Sequence, residues 1–314
     1  MFKTPRIDGH PNAHACARRF AMSRTRLFWL VAVLLLLPAG SAIAQTMPAA
    51  ALVVKTADYE LYYMPEYPQD GERAVLLLDR AVAVAKAKYG TTYRGTPCKV
   101  HLYPTPTGMA STGGAGITSS ISGAPGPNAS IASCTVHMLT ASAPDWKTAS
   151  GSSWGDTKDG TYWDAMLVNE YITIFQDLTA AIKPIGFRYY SAPSWFVQGL
   201  EAFDGYYHAT EASRDRLRGL LRDGRLGVRN RRTYVVCCKR SDAVGVNASL
   251  QTMAVKDDYV DGLALTTFLA LQFGEEVHAR ILRSPRLTFE EALVQETGAS
   301  LDELFEAYAV WVNQ

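Results

Sequence analysis

Apolar and polar positions along the chain change their rhythm about halfway through. Before that point, residues 52–63, the run Cys98-Lys99-Val100-His101-Leu102-Tyr103 and residues 131–139 read as extended. Between the first two, residues 72–89 carry Val75, Leu78, Ala81, Val82, Val84 and Ala85 at helical spacing and stop at Gly90, which predicts a strand followed by a helix. Residues 104–130 are dense in Gly, Pro, Ser and Thr without any period and predict a long loop. Its Gly113-Gly114-Ala115-Gly116 lacks the lysine of a phosphate-binding loop and reads as a rim. A second polar stretch, residues 142–160, leads into a helical half. Helices are predicted over 162–181, 193–207 (Pro193 in the first turn), 209–222, 258–273 with a continuation to 282, 288–297 and 300–312. In the fourth of these, Leu263, Thr267, Leu269 and Ala270 form a stripe. Residues 227–254 read as irregular. The expected fold class is α+β: a mixed α/β part over 45–160, then a mainly helical part over 161–314.

Composition adds class and compartment. With 314 residues, 48% hydrophobic and 19% charged, the chain has globular composition. A net charge of +1 gives no footprint for nucleic acid or anionic lipid. The basic run Arg229-Asn230-Arg231-Arg232 is read as a solvated loop rather than an anion site. Arg24 and Arg26 precede an apolar run over 27–37, and Ala42-Ile43-Ala44 has the small-residue pattern of a cleavage site. Residues 1–44 are therefore read as leader and secretory signal, the signal over 22–44, with a mature chain beginning at Gln45. The protein is expected to be exported, periplasmic or secreted, with no membrane span after cleavage. Four cysteines then remain: Cys98 and Cys134 in strand-like runs, and the neighbours Cys237 and Cys238. An oxidising compartment favours pairing, and Cys98 with Cys134 is the preferred bridge. Cys237 and Cys238 are left open between a vicinal disulfide and free thiols.

The helical half holds the candidate chemistry. Val168-Asn169-Glu170-Tyr171-Ile172-Thr173-Ile174-Phe175-Gln176 is followed by Pro193-Ser194-Trp195-Phe196-Val197-Gln198-Gly199-Leu200-Glu201. The chain ends with Asp258-Tyr259-Val260-Asp261-Gly262, Gln272-Phe273-Gly274-Glu275-Glu276, Phe289-Glu290-Glu291-Ala292-Leu293 and Ser300-Leu301-Asp302-Glu303-Leu304. In this order the segments resemble the peptidase MA-like, gluzincin-type family of His-Glu-x-x-His zinc metallopeptidases, over most of residues 52–312. That resemblance implies a zincin-like fold, with a small mixed α/β portion ahead of the helical portion that carries the metal site. Two imidazoles four residues apart share one helical face and can bind one ion. Here those positions are Asn169 and Thr173, and the third ligand position, on the next helix, is Gln198. The general-base position is kept as Glu170.

Zinc takes imidazole nitrogen, thiolate or carboxylate, and neutral amide or hydroxyl oxygens replace them badly. The zinc expected from the resemblance is thus expected to be lost, and with it the Lewis acid and the activated water of hydrolysis. The expected protein is a pseudopeptidase whose former cleft, lined by Asn169, Glu170, Thr173, Trp195, Gln198, Glu201 and Tyr259, binds a peptide or protein. Two alternatives stay open: a peptidase still using Glu170 with an unusual metal site or none, and a cell-envelope structural or assembly factor acting through its surface. Of the remaining histidines, His101 and His137 would come close if their strands pair, whereas His208 and His278 stand alone.

Overall fold

The computed structural model describes residues 51–90, 97–111, 119–125, 131–144, 146, 160–181, 192–222, 255–284 and 288–312. The leader and signal, Gly113 to Gly116, the 229–232 basic run and Cys237 and Cys238 lie outside the described residues. The architecture is α+β: a five-stranded mixed sheet followed by helices that share one hydrophobic core with it.

The chain opens with β1 (Leu52–Lys55) and β2 (Tyr59–Tyr63), which pair antiparallel. Residues 52–63 are therefore a hairpin rather than one extended run. The turn is made by Thr56, whose hydroxyl accepts the Tyr59 N–H at 2.9 Å and the Asp58 N–H at 3.2 Å, a local side-chain bond that Thr is suited to make. Helix α1 (Pro68–Val84) buries Ala74, Leu77, Leu78, Ala81 and Val82 against the sheet. It continues through a wider π-helical turn, Ala85–Tyr89, and stops at Gly90, whose φ of 63° suits glycine.

Strand β3 (Cys98–Tyr103) and strand β5 (Ile131–Leu139) occupy the spans predicted for them and pair in parallel. The disulfide Cys98–Cys134 ties them, with Cα atoms 4.7 Å apart, as the sequence led us to expect. Closing a loop 36 residues apart restricts the unfolded chain by about 4 kcal/mol in the chain-entropy account. Between them, part of the predicted loop is ordered as α2 (Pro106–Ser111) and β4 (Ser119–Pro125). Strand β4 has one large apolar residue, Ile121, and so no readable alternation; its identity comes from antiparallel backbone pairing with β5. The sheet order is β1-β2-β3-β5-β4.

The helical part comprises α3 (Gly160–Ala181), α4 (Ser194–His208), α5 (Glu211–Arg222), α6 (Val255–Phe273), α7 (Val277–Arg283), α8 (Phe289–Thr297) and α9 (Leu301–Val312). The predicted continuation to residue 282 is instead a break at Gly274, which takes φ 84° and lets α7 start afresh. Helix α8 begins with a capping box between Thr288 and Glu291. Helix α4 lies against both α3 and α6 at backbone distance. A methyl group on Gly199 would collide with the Gly262 backbone, and one on Gly205 would collide with the Ala165 carbonyl. Across the first contact, the Thr266 hydroxyl donates to the Gly199 carbonyl at 2.9 Å. Among the described residues, no helix is long and apolar enough to cross a membrane.

Candidate functional site on helices α3 and α4

Helix α3 packs against β4 and β5 of the sheet, α1 and α4. This places Asn169 and Thr173, four residues apart, in its buried face, each about 8% exposed. The Thr173 hydroxyl donates to the Asn169 carbonyl at 2.9 Å and lies 3.3 Å from Asn169 Oδ1. The Thr173 side chain is thus tied to the Asn169 backbone within one helix turn, a pattern open to Ser and Thr in helices. Gly205 on α4 brings its backbone to the same turn: a Cβ built there would stand 3.0 Å from Asn169 Cβ.

Glu170 is half-buried. It lies close enough to Tyr162 to act on it: burial first, then the Glu170 charge, pushes the Tyr162 phenol up to about 12, with Arg216 opposing. On α4, Gln198 is half-buried, and its Oε1 is buried without a hydrogen bond among the described residues. Glu201 is also half-buried. Trp195 is fully buried and edge-on to Phe196, Phe289 and Phe305, so it belongs to the aromatic core behind α4. Tyr259 sits near the start of α6, and its side chain lies outside the described residues.

The donor set does not fit zinc. Asn169, Thr173 and Gln198 offer only neutral amide and hydroxyl oxygens, which replace imidazole, thiolate or carboxylate badly. Among the described residues, no three His, Cys, Asp or Glu side chains gather to hold a metal ion.

Three residues beyond Thr173, the same helix enters a different environment that sequence reasoning did not single out. Gln176 donates to Asp204 Oδ2 at 2.8 Å. Asp204 is wholly buried, bonded by the Lys88 ammonium and the Tyr89 hydroxyl, with His208 Nε2 3.5 Å away. Burial opposes the ionisation of Asp204, but the Lys88 charge and the His208 contact outweigh it and hold the carboxyl well below the usual carboxylate range. Burial, followed by the Asp204 charge, drives the Tyr89 phenol well above its ordinary value. Nearby His278 is fully buried; its Nε2 bonds the Thr266 carbonyl at 2.9 Å, and burial pushes its pKa down to about 3. The advance signal was an acid, Asp204, set between Phe203 and Gly205-Tyr206-Tyr207 of α4.

The third polar cluster lies on the sheet. Strand alternation turns Tyr59, Leu61, Val100, Leu102, Val136 and Met138 to one buried face, where Tyr59 meets Asp79 of α1 and Tyr171 of α3. The other face carries Tyr62, His101, Tyr103 and His137. His101 and His137 stand directly opposite in register, with ring centroids 5.6 Å apart, so pairing of the strands does bring them together. Tyr103 Oη is 2.9 Å from Nδ1 of both rings. Burial, then His137 and Lys99, lowers His101 to about 4, and burial lowers His137.

No family model, no curated protein and no solved structure matches this chain.

Proposed function

We propose that the chain is an exported, gluzincin-like pseudopeptidase in which the region between α3, α4 and strand β4 binds an extended peptide without cutting it. The observation that carries this reading is the chemistry at the three positions where the resemblance expects metal ligands. Two of them, Asn169 and Thr173, are neutral, buried and bonded to each other, and the third, Gln198, is a neutral amide on the neighbouring helix. None of the three carries a charge that burial would penalise, whereas an ionised acid there would call for a counter-ion. Glu170 keeps its carboxylate, but general-base catalysis needs a polarised water or carbonyl beside it.

Two further features support binding and export. Strand β4 is the last strand in the sheet order and lies beside α3, an arrangement to which a peptide can add as a further strand through backbone hydrogen bonds. The Cys98–Cys134 disulfide belongs to an oxidising compartment.

The test uses an unstructured peptide, oxidised insulin B chain, with binding followed by fluorescence anisotropy and cleavage by mass spectrometry. Saturable binding without cleavage, unchanged in kind by Glu170→Gln, is the expected result. Turnover abolished by Glu170→Gln would establish a peptidase instead. No binding at all would remove the cleft from the account and favour a protein acting through its surface.

A further inference from the structure

The sheet face opposite α1 and α3 holds a donor set that the peptidase reading does not use. We propose that His101 Nδ1, His137 Nδ1 and the Tyr103 phenol oxygen form a three-donor site for a late first-row divalent transition ion, with Cu2+ the tightest binder.

The geometry is set by the strands. Parallel pairing of β3 and β5 puts His101 opposite His137, and the two-residue repeat of β3 puts Tyr103 on the same face as His101. Both Nδ1 atoms face one oxygen at 2.9 Å. Around an ion held at about 2.0–2.1 Å, donors about 90° apart are themselves separated by about 2.9 Å. Each His–Tyr edge therefore already has the length of one edge of a coordination polyhedron. The set is also supported from outside. The Tyr62 ring stands edge-on to His101 at 4.7 Å, and its own hydroxyl is tied to Glu60 Oε2 at 2.6 Å. Helix α2 approaches over Tyr103: a Cβ built on Gly108 would meet the Tyr103 ring at 3.7 Å. Tyr103 is 2% exposed and His137 4%, while His101 is only half-buried and leaves a side for entry.

Proton accounting gives the cluster a signature. One phenol proton can serve only one acceptor, so the other imidazole must present Nδ1–H to the phenol oxygen. Binding an ion at all three donors removes the phenol proton, while that Nδ1–H passes to Nε2 of its ring; the net release is one proton per ion. His101 Nε2 has no hydrogen-bond partner among the described residues, so no neighbour there fixes its tautomer. Two imidazoles with a phenolate suit copper, and affinity among these divalent ions peaks at Cu2+.

The test titrates the untagged full chain with Cu2+ by calorimetry in buffers of different ionisation enthalpy, with His10→Ala and His14→Ala to remove the leader histidines. The expected result is about one ion bound and about one proton released, with a phenolate-to-copper charge-transfer band in the visible. His101→Gln and His137→Gln should each weaken binding by at least about a hundredfold, the upper range for loss of an outer-shell partner. The near-isosteric Tyr103→Phe should still bind, more weakly, with no charge-transfer band and no proton from the phenol. Thermal unfolding of each variant identifies any loss that is only misfolding. No binding by the parent chain would overturn the proposal, as would binding that persists unchanged in folded His101→Gln and His137→Gln proteins.

Discussion

Helix α3 carries two polar regions within two turns, and they deal with burial in opposite ways. At Asn169 and Thr173 the buried groups are neutral and joined by a hydroxyl-to-carbonyl bond inside the helix. At Gln176, on the next turn, the helix touches Asp204, a fully buried carboxylate held by the Lys88 ammonium, the Tyr89 hydroxyl and the Gln176 amide. The first region has no net charge to balance, and the second balances its charge with a cation from its own chain. A charge is tolerated in this core where the fold itself supplies the partner, and Asn169 and Thr173 carry no charge that would call for one.

The difference makes the two regions unequal in stability, and the largest expected effect lies in the charged one. Asp204→Asn leaves the Lys88 ammonium buried without its counter-charge and should cost about 3–5 kcal/mol in urea unfolding at neutral pH. A loss below about 1 kcal/mol would mean that Lys88 finds another partner and that the pair does not hold this region together. The pH dependence follows from the same groups. His278, held near 3 in the fold against an ordinary value near 6.5, takes up its proton more readily when unfolded. Stability should therefore fall as pH drops from about 6.5 toward 3. Asp204 has a depressed folded pKa, so its contribution is complete above its ordinary value near 4 and is lost as pH falls below it. Unfolding measured across this range should show the acid part of the loss disappear in Asp204→Asn.

A middle-sized effect is expected where the two regions share a backbone contact. Gly205 lies next to Asp204 in sequence, and a Cβ added there would fall 2.4 Å from the Ala165 carbonyl oxygen and 3.0 Å from Asn169 Cβ. Gly205→Ala should force α3 and α4 apart and cost about 1–3 kcal/mol by overpacking, read as a lowered Tm. The smallest effect belongs to Thr173→Val, which removes a hydroxyl bonded within its own helix and should change stability by less than about 1 kcal/mol. A Thr173→Val loss as large as that of Asp204→Asn would end the contrast between the regions.

Much of this was readable because local pattern and tertiary packing agree. The Cys98 and Cys134 runs are strands, and their pairing in register also brings His101 opposite His137. The helix ends at Gly90, Gly274 and Gly298 follow from a residue that accepts positive φ, although the break at Gly274 was read as a continuation. What was not readable depends on partners distant in the chain. Strand β4 has almost no apolar alternation, so only its ladder with β5 identifies it. Lys88 falls at the end of a predicted amphipathic helix, where a lysine ordinarily meets solvent; its burial depends on Asp204, 116 residues away. At the candidate site, the identities of Asn169, Thr173 and Gln198 were plain from the sequence, whereas the bond between Thr173 and the Asn169 carbonyl was not.

The central claim is that these three residues occupy the ligand positions of a former metal site. It is tested most directly by the zinc content of the natural chain and of the Asn169→His, Thr173→His, Gln198→Glu variant, each equilibrated with zinc and freed of excess. The account predicts about one further equivalent of zinc in the variant than in the natural protein, as a single rebuilt site requires. A folded variant that takes up no more zinc than its parent would contradict it, because the three positions would then not converge on one point.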